Sequence, residues 1–80
     1  GRNGNAESLK KSLPLFESAA KIYRQLILKS DEAYCFASLG YANSLLGERQ
    51  KALIQYNQAL KLFRAANNKI GVTETLSNIG

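Results

Sequence analysis

Phe36-Ala-Ser-Leu39-Gly40-Tyr41-Ala-Asn43-Ser-Leu-Leu46-Gly47-Glu48-Arg49-Gln50-Lys-Ala52-Leu-Ile-Gln-Tyr56-Asn-Gln-Ala59-Leu60-Lys-Leu-Phe63-Arg64 decides how this chain folds. It reads as two antiparallel helices joined by a tight turn. Phe36-x-x-Leu39-Gly40 lies on the first helix, and Ala52-x-x-x-Tyr56-x-x-Ala59 on the second. Large apolar residues alternate with very small ones at helical spacing, as in hairpins that stack on copies of themselves. Gly47 follows the first helix as a C′ residue able to take positive φ. Gly40 costs a helix about 1 kcal/mol relative to Ala, so it implies close approach of a neighbouring helix. Ala52, Ala59 and Ala19 have the same small-residue role. Phe36, Leu39, Tyr56, Leu60 and Phe63 are the expected filling between them.

Outward from this hairpin the chain repeats. At an offset of 40 residues Lys11 meets Lys51, Leu13 meets Leu53, Ala19 meets Ala59 and Lys21 meets Lys61. Arg24 meets Arg64, Lys29 meets Lys69 and Gly40 meets Gly80. Phe16/Tyr56, Ile22/Leu62, Tyr23/Phe63, Phe36/Leu76 and Leu39/Ile79 are conservative pairs in the same gapless register. A period of this size in a helical chain signals a solenoid.

Helix boundaries follow. Residues 1–8, with two glycines and two asparagines, read as a flexible tail or linker. A helix is predicted over Ser12–Leu28, with Leu13, Phe16, Ala19, Ala20, Tyr23 and Ile27 on one stripe. Pro14 belongs in its first turn, so any helix over Ala6–Lys11 should be kinked or broken from it. Lys29-Ser30-Asp31-Glu32 reads as a junction, with Ser30 or Asp31 capping a second helix that ends near Leu46. A third helix is predicted from Gln50 to Ala66. Asn67-Asn68-Lys69 breaks it, Gly71 falls in the loop, and a fourth helix starts near Val72.

These residues resemble the tetratricopeptide repeats, in the 40-residue, longer-helix variant found in bacterial arrays. Phe36-x-x-Leu39-Gly40-x-x-Asn43 is similar to the family's helix-A pattern, with Asn43 where tyrosine is usual. Ala52-x-x-x-Tyr56-x-x-Ala59 is similar to its helix-B pattern, with Arg64 near the usual closing proline. Asn78-Ile79-Gly80 resembles the start of the variant's next helix A. The resemblance covers residues 9–80. It implies an all-α fold of antiparallel hairpins stacked as a right-handed solenoid fragment. That fragment would hold helix B of one repeat, a full hairpin over about 31–66 and the start of the next helix A. It also implies a protein-interaction scaffold that takes a peptide or partner helix in a concave groove.

Helix A lines that groove, which places Tyr34, Ala37, Ser38, Tyr41, Ser44 and Leu45 on it, with Asn78 from the next repeat. Two tyrosines among small polar neighbours offer contact area at low entropy cost. Family members that grip a C-terminal carboxylate present Lys and Asn there; Ala37 and Tyr41 stand in those places, so that activity is not carried over.

Chemistry is sparse. The chain has no histidine and one cysteine, and no residues in the arrangement of a nucleophile with its base. An enzyme is not expected, and neither is a cofactor or a metal. Cys35 is expected to be an inert, half-buried thiol. One cysteine allows no internal disulfide, which suits a cytoplasmic setting. No apolar run approaches the ~20 residues of a membrane-spanning helix.

The net charge is +5. Residues 1–30 carry six Lys/Arg against two acids, and residues 50–69 carry four basic residues and no acid. Residues 31–49 carry three acids and one arginine. The basic charge therefore follows the B helices and should face outward as solvated cover. A basic nucleic-acid-binding module and a purely structural spacer remain the alternatives to the interaction scaffold. Leu76 and Ile79, and the stripe on the Ser12–Leu28 helix, form apolar edges that no other element covers. Self-association through these terminal helices is expected.

Overall fold

In the computed structural model the backbone is described for residues 2–80, and the side chains for residues 7, 8 and 10–80. Three helices make up the fold, and no strand occurs among the described residues: α1 (Arg2–Leu45), α2 (Arg49–Ala65) and α3 (Lys69–Ile79). The all-α expectation holds. The molecule measures 67 × 16 × 14 Å. At 1.5 Å per residue, α1 alone accounts for the long dimension.

The hairpin read from the sequence is present as the second half of α1 packed against α2. Its turn is a Schellman motif. Gly47 has φ +79°. The Glu48 N–H donates to the Asn43 carbonyl at 2.8 Å and the Gly47 N–H to the Ser44 carbonyl at 3.1 Å. Gly40 is buried on α2: a Cβ built there would lie 2.8 Å from Cδ1 of Tyr56. Ala33, Ala59 and Phe63 form the centre of the core, with Phe36, Ala37, Leu62 and Val72 packed around it.

A second Schellman motif joins α2 to α3. Asn67 supplies the positive φ, at 54°. The Asn68 N–H donates to the Phe63 carbonyl at 2.8 Å and the Asn67 N–H to the Arg64 carbonyl at 3.1 Å. Asn68 then caps α3, its Oδ1 accepting from the Gly71 N–H at 2.9 Å. Helix α3 begins at Lys69 rather than near Val72, so Gly71 sits in its first turn and not in a loop. The cap explains the earlier start. The ring of Phe63 explains the glycine, since a Cβ on Gly71 would fall inside its contact distance.

Three expectations fail in α1. Lys29–Glu32 is no junction, because the helix runs through it without a break. Pro14 does not begin a helix but lies inside one. Its ring removes the single donor owed to the Lys10 carbonyl and leaves the rest of the ladder. Of the tail expected over residues 1–8, Gly1 lies outside the described residues, and from Arg2 onward the backbone belongs to α1.

The continuity at Ser30 has a local cause, found by moving the α2–α3 turn back 40 residues. Ile27 stands where Asn67 adopts positive φ, a conformation that β-branched residues avoid. Leu28 stands where Asn68 caps α3, and Asp31 where Gly71 lets Phe63 approach. None of the three turn devices exists in the first copy. With helix-compatible residues throughout, α1 continues as a bare arm. Leu13, Phe16, Ile22, Tyr23, Ile27 and Leu28 on it are exposed rather than packed.

Candidate functional site

Residues at 3–4 spacing share one side of a helix. Tyr34, Ala37, Ser38 and Tyr41 therefore come to one side of α1. Helix α3 runs past that side, carrying Glu74, Thr75 and Asn78. Together with Phe63 these residues line a cleft of about 270 Å³. Of the seven groove residues read from the sequence, five meet here: Tyr34, Ala37, Ser38, Tyr41 and Asn78. Ser44 lines an adjoining cleft of about 360 Å³ with Asn78, Tyr56 and Ile79. Leu45 is exposed at the end of α1 and lines neither.

The two tyrosines are anchored differently. Tyr34 meets Phe63 edge to face, with ring centroids 4.8 Å apart and an interplanar angle of 77°. It is part of the core wall as well as of the cleft. Tyr41 is more exposed and makes no such ring contact. Below it lies the buried Tyr56, whose phenol is pushed above its ordinary pKa of 10.0, first by burial and then by the Tyr41 phenol. On the α3 side Thr75 is buried, and its hydroxyl donates to the Gly71 carbonyl at 2.7 Å. That bond leaves the Thr75 methyl as the cleft floor. The lining thus offers aromatic faces, one carboxylate (Glu74), one amide (Asn78) and one free hydroxyl (Ser38).

Glu74, Thr75 and Phe63 were absent from the sequence reading. Their place in the cleft depends on how α3 lies against α1, which no single helix face reveals. A second, roomier cleft of about 580 Å³ lies where the arm leaves the α2–α3 turn. Tyr23, Ile27, Ser30, Asn67 and Ile70 are among its walls. The turn is tied to α1 there, with Asn68 Nδ2 donating to Ser30 Oγ at 3.3 Å.

Two expectations about α1 are corrected. Cys35 is exposed rather than half-buried. Leu39, expected in the core, is exposed as well. Both lie on the side that α3, at the same repeat positions, turns toward α2. On α1 the straight arm leaves that side uncovered.

Arg49, Lys51, Lys61 and Arg64 of α2 are all exposed. No group of His, Cys, Asp or Glu among the described residues could hold a metal ion. No helix among them is long and apolar enough to cross a membrane. Compared with known proteins, the chain matches no family model, no curated sequence and no solved structure.

Proposed function

We propose that this chain is a protein-interaction module, a tetratricopeptide-like scaffold. In this reading it takes a peptide or partner helix in the cleft between α1 and α3. What supports the reading is the convergence of Tyr34, Ala37, Ser38 and Tyr41 with Asn78 of α3 on one concave surface. The cleft is open at both ends of the helix pair, which suits an extended or helical ligand. Tyr41 gives contact area at low entropy cost, and Glu74 favours a ligand carrying a basic group. The 40-residue repeat adds to this reading, because stacked hairpins extend such a surface along an array.

A displayed peptide library, selected against the 80-residue chain, tests the proposal. Selected peptides should lose binding at least about tenfold when Tyr41→Ser or Ser38→Arg is introduced, since neither residue belongs to the core. Tyr34 is a poor probe because its ring also supports Phe63. Peptides that bind both variants as well as the parent would remove the cleft from consideration.

A further inference from the structure

We infer that a second copy of this chain covers the bare arm. The α1 helices of the two copies lie antiparallel, and each arm takes on the other's residues 31–39 the place that α2 takes on α3.

The inference starts from the register of α2 on α3. Phe63 lies on Gly71. Four residues further along each antiparallel helix, Ala59 comes opposite Thr75, and both are buried. Forty residues earlier the same pairs are Tyr23 with Asp31 and Ala19 with Cys35. Within one chain they cannot meet, because a continuous helix joins them. Between two antiparallel copies they can. Residue 27 is midway between 23 and 31 and also between 19 and 35. A single two-fold axis at Ile27 therefore satisfies both pairs in both directions, as an isologous dimer requires.

Both surfaces that this arrangement joins are uncovered in one copy. On the arm, Phe16, Tyr23 and Ile27 are exposed. On the acceptor side, Cys35 and Leu39 are exposed. An arm with so much apolar surface owes little of its helicity to its own chain, because helices in water are held mainly by packing of the apolar face. Ala19 opposite Cys35 pairs two small residues, as Ala59 opposite Thr75 does. The charges also complement each other. The segment 1–30 has four more basic than acidic residues, and Asp31 and Glu32 open the acidic segment that it would cover. The overlap of residues 16–39 in both copies spans about 36 Å of helix. Cys35 and Leu39 lie roughly 130° round the helix from Tyr34 and Tyr41, so the dimer leaves the α1–α3 cleft open.

Sedimentation of the 80-residue chain across a dilution series, with Cys35 thiol reactivity toward dithiobis-nitrobenzoate at each concentration, tests this. The expected result is a dimer in which Cys35 reacts at least about tenfold more slowly than in the diluted monomer. Tyr23→Asp should give a monomer with a fast thiol. The triple substitution Ile27→Asn, Leu28→Asn, Asp31→Gly installs the α2–α3 turn in the first copy. It should give a monomer with a slow thiol, because the arm then folds back onto its own chain. A chain that stays monomeric when concentrated, with a fast thiol, overturns the proposal. So does a dimer with a fast thiol, which would place the contact at another edge such as Leu76 and Ile79. A triple variant that remains dimeric would refute the part assigned to Ile27, Leu28 and Asp31.

Discussion

Tyr23 and Phe63 hold the same place in the 40-residue repeat, yet Phe63 is 1% exposed and Tyr23 66%. Around them the lysines, arginines and small residues match. The difference lies a few residues downstream. After Phe63 the chain meets an asparagine that takes positive φ, an asparagine that caps, and a glycine that makes room. After Tyr23 it meets isoleucine, leucine and aspartate at those positions. A helix with a core-forming face becomes a packed element or a bare arm according to the turn that follows it. The repeat encodes the face, and three residues outside the face decide its use.

The sharpest way to break this comparison is to remove the aromatic from each copy. Phe63→Ala should cost about 3–5 kcal/mol in chemical denaturation, the usual loss for a buried ring. Tyr23→Ala, measured in dilute solution, should leave the same transition within about 0.5 kcal/mol, as for an exposed site. Equal losses would mean that the arm is packed within its own chain. Overpacking gives a smaller contrast. Ala59→Leu should cost about 1–3 kcal/mol because Ala59 is 0% exposed in the core, whereas Ala19→Leu in the arm should be close to neutral.

The turn itself offers the next test. Asn68→Leu copies the arm's Leu28 into the α2–α3 junction. It removes the cap on the Gly71 N–H and the link to Ser30. A loss of about 1 kcal/mol is expected, with α3 the first element to exchange its amides. If hydrogen exchange in α3 is unchanged, the cap does not hold the helix.

The hairpin was legible because its signals are local. Gly47 needs positive φ to stop α1, and Gly40, Ala52 and Ala59 are small where helices touch, so each residue states its own reason. The continuous α1 was less legible. Lys29-Ser30-Asp31-Glu32 has the composition of a junction but also fits a helix interior, and only a positive signal for a turn separates the two. That signal was already in the repeat, since Ile27 aligns with Asn67 and a β-branched residue resists the required φ. The cleft shows the same division. Tyr34, Ala37, Ser38 and Tyr41 follow from spacing on one helix, whereas Glu74 and Thr75 depend on the placement of α3. Cys35 and Leu39 were assigned to the interior on the assumption that a preceding helix folds back over them.

The smallest expected effect comes from another matched pair, Tyr56 in α2 and Phe16 in the arm. Only the packed copy carries a hydroxyl. Burial, and secondarily Tyr41, hold the Tyr56 phenol above its ordinary pKa of 10.0 in the folded chain. In the unfolded chain it ionises near the ordinary value. The neutral phenol is therefore favoured by folding. Its contribution is complete below pH 10 and is lost as pH rises through the folded-state value. Stability in denaturant should be level through neutral pH and decline above about pH 10. The Tyr56→Phe variant copies Phe16 into α2 and removes the titrating group while keeping the ring on Gly40. It should flatten the part of the alkaline decline that belongs to Tyr56. An identical alkaline slope in parent and variant would mean that the Tyr56 phenol reaches water in the folded chain, and that the ring contact with Gly40 is looser than the 2.8 Å approach implies.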